Sequence, residues 1–292
     1  MMNKPLLTLL LPCYNEDENI PVVLPEIEAF ARAHNFKVII VNDGSIDNSR
    51  SELARFAASD LITIAHHKLN KGYGAALKTG LQLCTTEYTI TLDIDGQHRL
   101  VDVLNLFEQI KILDSDMIIG SRKGQKSASS WRGLGKFLIR LIAKILMQVP
   151  VHDINSGMKI FRTDIAQRYL PLYPDGMSFS DIMTLTFVFK KNLVHEVPIK
   201  IEQRRAGKST INLRTAIETA NGIINIIVLF NPMRIFLPTA LFFGLAGLIW
   251  GIPILLIGNG VSVGAGLLIT VAVLTLLLGL IAHQLSAMRT NV

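Results

Sequence analysis

The sequence predicts an α/β protein in which a mainly parallel sheet is followed by a two-helix transmembrane hairpin. The first hundred residues alternate short β-branched runs with helical patterns, which is typical of βαβ units. Near the C-terminus, two long apolar runs contain no Asp, Glu, Lys or Arg between Ile235 and Met288. The alternating pattern is typical of a domain in water, and the two apolar runs are typical of helices in lipid. The chain therefore divides into a soluble part and a membrane part.

The predicted elements of the soluble part follow one another in alternation. Strands are expected at 6–11, 37–41, 61–65, 88–92, 116–120 and 194–201, and helices near 22–34, 48–58, 74–83 and 101–112. An amphipathic-to-apolar stretch over 212–230 leads into the hairpin. Because the ligand crevice of such a sheet lies beyond the carboxyl ends of its strands, polar residues at those ends are candidates for a site.

Polar residues do follow three of the predicted strands. Asn15 and Glu16 follow the first, Asn-Asp-Gly-Ser at 42–45 follows the second, and Asp93-Ile94-Asp95 follows the strand at 88–92. Alternate residues of a strand point to the same side, so the two carboxylates can share a cation. Such oxygen ligands suit Mg²⁺ or Mn²⁺ bound with a substrate diphosphate, and Gln97 could add an amide oxygen. Taken alone, Asp-x-Asp is equally typical of turn carboxylates that cap helices.

The net charge of +6 is concentrated in one segment. Residues 117–152 contain no acidic residue but seven basic ones, namely Arg122, Lys123, Lys126, Arg132, Lys136, Arg140 and Lys144. The last three recur every four residues, which suits a helix lying on an anionic membrane surface. A solvated basic face is the plain alternative. Nucleic-acid binding is not expected, because aromatic residues are sparse here.

The two apolar runs, 235–257 and 261–285, each exceed the roughly 20 helical residues that cross a bilayer. Pro238 and Pro253 are expected near helix starts or at kinks. Arg234 and Arg289 flank the hairpin, and the loop between its helices is uncharged, so the positive-inside rule places both ends in the cytoplasm. A buried helical pair in a soluble core is the less favoured alternative, since core helices are shorter. No secretory signal is apparent, and Cys13 and Cys84 show no metal or redox spacing.

Several motifs arrive in an order that resembles inverting glycosyltransferase family two. They are Pro-Cys-Tyr-Asn-Glu at 12–16, Asn-Asp-Gly-Ser-Ile-Asp at 42–47, Asn-Lys-Gly-Tyr-Gly-Ala-Ala at 70–76, Asp-Ile-Asp at 93–95 and Gly-Ser-Arg at 120–122. His-Asp-Ile-Asn-Ser-Gly at 152–157, Glu-Val-Pro-Ile at 196–199, Arg205 and Gly-Lys-Ser at 207–209 resemble the polyprenyl-phosphate sugar transferases. That group includes dolichol-phosphate-mannose synthases and bactoprenol glucosyltransferases. The resemblance covers essentially the whole chain.

The resemblance implies a GT-A fold and a set of residue roles. The base pocket would contain Pro12, Tyr14 and Glu16, and the nucleoside would be held by Asp43 and Asp93. Asp95 and Gln97, with Asp93, would hold the metal ion. The acceptor phosphate would be bound by Arg122, Arg132, Lys136, Arg205 and Lys208. The residues expected to act in catalysis are Asp95, Asp181, Arg122 and Arg132.

Asp181 occupies the region where relatives carry an acidic residue facing the sugar, but their aromatic-Gln-x-Glu pattern is not preserved here. We therefore expect it to bind a sugar hydroxyl rather than to abstract a proton, with a simple helix cap as the alternative.

The function that the resemblance implies is metal-dependent, inverting transfer of a hexose from a nucleotide-sugar to polyprenyl phosphate. UDP-glucose or GDP-mannose is the expected donor. The expected organisation is a cytoplasmic catalytic domain over 1–211, a juxtamembrane helix over 212–234, and the hairpin with a short tail over 235–292, in a bacterial inner membrane. Small residues in the hairpin, namely Gly244, Gly247, Gly251, Gly264 and Gly266, suggest packing in a homo-oligomer.

Three other functions compete with this one. A nucleotide-dependent oxidoreductase is suggested by Gly72-Tyr73-Gly74, with Asp93 about twenty residues on, but Leu77 stands where the third glycine is required. A processive polysaccharide synthase would share the catalytic domain but would carry a Gln-x-x-Arg-Trp motif, which neither Trp131 nor Trp250 provides. A membrane-anchored nucleotide-sugar sensor would keep the pocket without turnover.

Overall fold

The structure is a computed structural model that describes residues 5–122, 151–154, 156–202, 228, 230–258 and 260–290. Residues 289 and 290 are described by their backbone alone. The chain forms two compact units. One contains the β-sheet and the other contains the C-terminal hairpin. Each unit has its own architecture.

The first unit contains seven strands and six α-helices among the described residues. The strands are β1 (Leu7–Cys13), β2 (Lys37–Asn42), β3 (Ile62–His66), β4 (Tyr88–Thr91), β5 (Met117–Ser121), β6 (Lys159–Arg162) and β7 (Val194–Pro198). The helices are α1 (Ile20–His34), α2 (Ser49–Ala54), α3 (Tyr73–Leu83), α4 (Leu100–Ile112), α5 (Thr163–Arg168) and α6 (Phe179–Phe189), with a 3-10 turn at Leu170–Leu172.

All seven strands form one sheet in the order β3-β2-β1-β4-β6-β5-β7. Every pairing is parallel except those of β6, which runs antiparallel to β4 and to β5. The mainly parallel sheet predicted from the sequence is thus confirmed. The carboxyl ends of β1, β2 and β4 lie side by side, and the candidate site residues follow those ends.

Burial explains why most of these elements could be predicted. In β1, β2 and β5 nearly every residue is buried, as expected for parallel strands covered on both faces by helices. Helix α1 buries a single face that includes Ile20, Leu24, Ile27 and Ala31, which gives the helical period seen in the sequence.

Strand β6 and helices α5 and α6 were not predicted, and two elements were predicted too long. Strand β7 ends at Pro198 rather than at residue 201. Strand β6 has only four residues and contains a lysine, and α5 has only six residues. Helix α6 buries residues on all sides, so it shows no amphipathic period. Helix α2 ends at Ala54 rather than near residue 58, because the amides of residues 55 to 57 bond three residues back and tighten the chain into turns.

The second unit contains two long helices, α7 (Met233–Leu256) and α8 (Val263–Thr290). Their apolar segments of 24 and 26 residues have mean hydropathies of 2.1 and 2.6 and are only 11% buried. By length and composition both could cross a membrane, which confirms the predicted pair of apolar helices. Pro238 lies in the second turn of α7 and Pro253 in its last turn.

Small residues of α7 face α8 within this hairpin. A Cβ atom at Gly247 would lie 2.9 Å from Ile269 Cγ1, and one at Gly251 would lie 2.9 Å from Ala265 Cβ. Gly244 similarly faces Ala272, and Gly264 faces the ring of Trp250, whereas Gly266 has open space around it. Four of the five glycines assigned to packing between copies therefore pack within the hairpin itself.

Candidate active site

Two polar loops meet at the carboxyl ends of β1 and β2. Asn15 Oδ1 accepts the amide of Ile46 at 3.0 Å, and Ser45 Oγ accepts the amide of Asn15 at 3.0 Å. Asn15 adopts a φ of 54°, a left-handed conformation that asparagine tolerates. Two predicted base-pocket residues, Tyr14 and Glu16, lie on the first of these loops, which the second holds in place, whereas Pro12 lies within β1.

These base-pocket candidates differ in exposure. Pro12 and Glu16 are partly buried, and Tyr14 is 42% exposed. The Tyr14 ring is therefore accessible to a ligand, while the backbone beneath it is fixed by the hydrogen bonds between the loops.

Asp43 is buried and accepts three hydrogen bonds from the segment that precedes α3. Its Oδ1 lies 2.6 Å from His67 Nδ1 and 2.9 Å from the Lys71 amide nitrogen, and its Oδ2 lies 2.8 Å from the Gly72 amide nitrogen. His67 Nε2 contacts Thr79 Oγ1 at 2.9 Å. Asp43 thus anchors the loop before α3, and a direct contact with a nucleoside stays a prediction.

The glycines of this loop are explained by a close approach of the protein's own backbone. Gly72 has a φ of 106°, and a Cβ atom there would lie 2.5 Å from the carbonyl oxygen of Asp175. A Cβ atom at Gly74 would collide with the carbonyl of Pro174. The space beside both glycines is therefore taken by residues 174–176, and the pattern requires no bound dinucleotide.

Asp93 and Asp95 follow β4 at the same edge of the sheet. Asp93 is partly buried and Asp95 is 6% exposed. Asp95 Oδ1 accepts the amide of Gln97 at 3.1 Å, across a turn in which Gly96 has a φ of 75°. The side-chain nitrogen of Gln97 points to the carbonyl oxygen of Glu202 at 3.4 Å. The tight turn holds the two carboxylates on one short segment.

The Tyr73 hydroxyl lies beside one carboxylate and is influenced by the charges of two more. It contacts Asp93 Oδ1 at 3.5 Å, and burial followed by the charges of Asp93, Asp95 and Asp181 raises its pKa. Gly157 approaches from the strand β6 side, where a Cβ atom would lie 2.7 Å from Asp93 Oδ2. The fold therefore brings acidic groups from two separate parts of the chain, residues 93–95 and residue 181, to act on one tyrosine.

This arrangement fits a magnesium-type ion that is completed by its substrate. Within the described ranges, no group of three or more His, Cys, Asp or Glu side chains could hold a metal ion without further ligands. Mg²⁺ is commonly bound by one or two carboxylates, with phosphate oxygens and water as its other ligands. The hard oxygen donors of Asp93 and Asp95 match that chemistry.

Arg122 and Asp153 form an ion pair beside these carboxylates. The guanidinium contacts both carboxylate oxygens, at 2.8 Å from Nε to Oδ2 and 2.7 Å from Nη2 to Oδ1. Hydrogen bonding to Asp153 raises the pKa of Arg122, whose charge also interacts with Asp93 and Asp181. Burial opposes ionisation of Asp153, but the bonds and charge of Arg122 outweigh it and lower the pKa of Asp153.

The loop that carries Asp153 is fixed from strand β7. Glu196 Oε1 accepts the amides of His152 and Asp153, both at 2.6 Å. The sequence motifs around residues 153 and 196 are thus joined by hydrogen bonds, and they hold Arg122 through Asp153.

Asp181 is the third residue of α6 and is 4% exposed. Its Oδ1 is buried and accepts no hydrogen bond from the described part of the chain, which argues against the helix-cap alternative for that atom. Burial raises the pKa of Asp181 to about 6, although the nearby Lys159 opposes this shift. Burial in turn lowers the pKa of Lys159 to about 7.

The structure thus brings together Asp93, Asp95 and Asp181, with Arg122 beside them, while the base-pocket candidates lie on the neighbouring strand ends. Four predicted phosphate-binding residues, Arg132, Lys136, Arg205 and Lys208, lie outside the described residues. Sequence reasoning missed Tyr73 and Lys159. A lysine within the apolar run Met158–Phe161 is the one signal that could have indicated the second of these.

Family models match both units of the chain. The model of glycosyl transferase family 2 matches residues 8–170, and that of the GtrB C-terminal hairpin matches residues 231–288.

Curated relatives share 26 to 28% of their residues with this chain over the matched part. An undecaprenyl-phosphate 4-deoxy-4-formamido-L-arabinose transferase of Pseudomonas paraeruginosa is 28% identical over 169 residues, 56% of this chain and 49% of that protein. The chain thus spans about half the length of this relative. The Pseudomonas fluorescens protein of the same name is 26% identical over 82% of this chain and 70% of its own length. An uncharacterized protein of Methanocaldococcus jannaschii is 28% identical over 68% of this chain and 82% of its own length.

Solved structures show the same fold at low sequence identity. TarS of Staphylococcus aureus in complex with UDP-GlcNAc aligns with a TM-score of 0.57 and 16% identity, over 77% of this chain and 67% of that one. Glucosyl-3-phosphoglycerate synthase of Mycobacterium tuberculosis, with Mn²⁺, UDP-glucose and phosphoglyceric acid, also aligns with a TM-score of 0.57, at 15% identity, over 76% and 79% of the two chains. The expected GT-A fold is confirmed by these similarities.

Proposed function

The chain belongs to glycosyl transferase family 2, and on that basis we propose that it transfers a hexose from a nucleotide-sugar to polyprenyl phosphate. The observation that carries the proposal is the presence in one chain of a sheet with an acidic site at its carboxyl edge and a hairpin of two membrane-length helices. A soluble acceptor would not require such an anchor. The names of two curated relatives, both undecaprenyl-phosphate transferases, point to the same acceptor class.

The donor would bind at the carboxyl ends of β1, β2 and β4. Tyr14 offers an exposed ring beside the base, and the interlocked loops beneath it keep the pocket in place. Asp43 would act through the loop that it anchors, because three donors from His67, Lys71 and Gly72 already converge on its carboxylate.

Asp93 and Asp95 would hold a divalent ion on the diphosphate of the donor, with Gln97 beside them. When bound, Mg²⁺ or Mn²⁺ neutralises the charge that develops on the departing diphosphate. Solved relatives of this fold contain Mn²⁺ or Mg²⁺ together with UDP. The two carboxylates would then supply the protein's share of the ligands, and the substrate would supply the rest.

The acceptor phosphate does not require a strong general base. The second pKa of a phosphate monoester is near 6, so its oxygens are already largely ionised at neutral pH. One of these oxygens would attack the anomeric carbon as the nucleoside diphosphate leaves, with inversion. Arg122, oriented by Asp153, would hold the phosphate, and Asp181 would accept a hydroxyl of the sugar through its unpartnered Oδ1.

The proposed organisation has three parts. Residues 1–211 would form the catalytic domain, 212–234 a juxtamembrane segment, and 235–292 the membrane anchor. Basic residues flank the hairpin, at Arg234 and Arg289, and this supports a catalytic domain on the cytoplasmic face. The proposed site of action is a bacterial inner membrane.

The test uses the full chain in vesicles that contain undecaprenyl phosphate or dolichyl phosphate. Labelled UDP- and GDP-sugars are added with Mg²⁺, Mn²⁺ or a chelator, and lipid-linked label is extracted and measured. We expect one donor to give a polyprenyl-phosphate monosaccharide that disappears with the chelator. Asp95→Ala should abolish turnover without changing membrane insertion. Asp60→Ala is the matched control, because Asp60 is exposed and precedes β3 at the opposite edge of the sheet.

Each rival function gives a different outcome. A polysaccharide synthase would form polymer rather than a lipid-linked monosaccharide, and a nucleotide-sugar sensor would bind the donor without turnover. The absence of lipid-linked product across the whole donor panel would contradict the proposal.

A further inference from the structure

Strand β6 carries a lysine whose side chain is completely enclosed. Lys159 is 1% exposed and is one of the largest fully buried side chains in the described part of the chain. Burying an ammonium group costs several kcal/mol unless hydrogen bonds and an opposite charge compensate for it. A neutral residue would fill this strand position without that cost, so the lysine requires an explanation.

Hydrogen bonds account for all three ammonium protons. Lys159 Nζ donates to the carbonyl oxygen of Ile154 at 2.8 Å, to that of Ser180 at 2.6 Å, and to Ser180 Oγ. Ser180 Oγ donates in turn to the carbonyl oxygen of Ser156 at 2.7 Å. The ammonium thus joins the loop before β6 to the first turn of α6, where Asp181 follows Ser180.

The groups that balance the charge of Lys159 are not the groups that accept its hydrogen bonds. The charged groups that act on it are Asp181, Asp153 and Arg122, with Asp181 the strongest. Asp181 in turn experiences Lys159, Arg122 and Asp153, and its own charge acts on Tyr73. Among the described residues, Lys159 and Asp181 share no hydrogen bond, and Asp181 Oδ1 has no hydrogen-bond partner.

The unusual feature is that Lys159 donates its hydrogen bonds to Ile154 and Ser180 while its charge compensates Asp181. A lysine bonded directly to Asp181 would stabilise its charge but would occupy its oxygen. Here the ammonium is fastened to Ile154 and Ser180, so it can compensate the carboxylate at a distance. The buried Oδ1 is left without a hydrogen bond, which is unfavourable until a donor reaches it.

We propose that Lys159 is a positioning residue that keeps Asp181 ionised within the acidic cluster while leaving its Oδ1 open to accept a hydroxyl of the donor sugar. The inference rests on the proposed function, because it takes the sugar to be the group that Asp181 meets. Lys159 itself touches no substrate and acts through Asp181.

The first test is Lys159→Met in the full chain, assayed in vesicles with undecaprenyl phosphate and the active donor. Without the ammonium, Asp181 ionises less readily. The acidic limb of the kcat profile, which is the pH range where kcat falls as the pH decreases, should therefore move to higher pH by about one unit or more. At pH 6.5, kcat should fall about threefold or more, which is the change in the ionised fraction when a pKa of about 6 rises by one unit. The affinity for the nucleoside diphosphate with Mn²⁺ should change less than about twofold, because that product lacks the sugar. An unchanged acidic limb would overturn the proposal.

Ser180→Ala is the matched control. This variant removes one acceptor of Lys159 but retains the ammonium charge, so it should lower the melting temperature and leave the pH limb in place. A shift of equal size in both variants would mean that the network acts only as a scaffold, and the proposal would fail.

A second arm covers the case in which Lys159→Met does not fold. If the cause is an uncompensated charge on Asp181, adding Asp181→Asn should restore the thermal transition. If the double variant remains unfolded, the role of the lysine is structural and the proposal is wrong. A wild-type protein without any lipid-linked product would instead contradict the proposed function, so the two failures are distinguishable.

Discussion

Arg122 and Asp153 are joined through three hydrogen bonds, because Asp153 Oδ2 accepts both the backbone amide of Arg122, at 2.9 Å, and its Nε, at 2.8 Å, while Oδ1 accepts Nη2 at 2.7 Å. The backbone and the side chain of one residue are therefore fixed by a single carboxylate. A guanidinium held in this way is oriented before any substrate arrives, which would lower the entropy lost in the phosphate binding proposed for it.

Replacing Asp153 by Asn should therefore destabilise the fold. We expect the free energy of unfolding to fall by about 2 kcal/mol, less than for a fully buried pair, because 37% of the Arg122 side chain is exposed. Chemical denaturation in detergent measures this change. Asp60→Asn is the control, since its pair with Arg32 is 76% and 56% exposed and should contribute almost nothing. Equal losses in the two variants would contradict the prediction.

Gly157 should be intolerant of a side chain. Gly157→Ala would place a Cβ atom 2.7 Å from Asp93 Oδ2, so the carboxylate must move away from the position it holds beside Asp95. We expect turnover to fall about 10- to 100-fold, with a higher Mn²⁺ requirement and an unchanged melting temperature.

Gly176→Ala provides the control for this variant, because no atom lies within 4 Å of a Cβ placed there. A Gly157→Ala protein with the wild-type dependence on Mn²⁺ concentration would show that the Asp93 carboxylate is not part of the metal site.

Asp43→Asn should loosen the loop before α3. Asparagine offers one acceptor oxygen where three donors converge, so at least one of them is left unsatisfied, at a cost of about 1–3 kcal/mol. We expect weaker binding of the nucleoside diphosphate, measured by calorimetry, together with lower stability. A loss of binding with full stability would instead indicate that Asp43 touches the nucleoside directly.

The activity should fall as the pH decreases through about 6. Burial raises the pKa of Asp181 to about 6, so its carboxylate is ionised at neutral pH and takes up a proton below that value. The acceptor phosphate titrates in the same range. Asp181→Asn removes the contribution of the protein, so its pH profile should be shallower than that of the wild type and its kcat lower. Identical profile shapes in the two proteins would exclude Asp181 as the titrating group.

The hairpin should depend on close packing at Gly247. Gly247→Leu would force a side chain into Ile269 and the backbone of Ala265, and overpacking of this kind costs about 1–3 kcal/mol. We expect α7 and α8 to separate at a lower detergent concentration in a denaturing titration. Gly266→Leu should behave as the wild type, because the space around Gly266 is open. A reversed order of the two variants would contradict the packing described.

Much of the fold could be read from the sequence because burial patterns are local. Strand β2 is a continuous apolar run because helices cover both of its faces, and α1 shows a helical period because it buries one face only. Helix α6 could not be found in this way, since residues all around it are buried. Strand β6 was missed because its antiparallel pairing between β4 and β5 depends on contacts with residues far away in the chain.

The sequence alone determined which polar residues follow the strands, including the acidic pair Asp93 and Asp95. It also determined the two long uncharged helices of the hairpin. Only the tertiary structure decided that Asp43 anchors a loop, that Tyr73 meets Asp93, and that Lys159 is buried against Ser180, the residue before Asp181. The physical reason is that periodicity and turn chemistry act between near neighbours in the chain. The charge and hydration of a buried group, in contrast, depend on segments that meet only when the sheet is assembled.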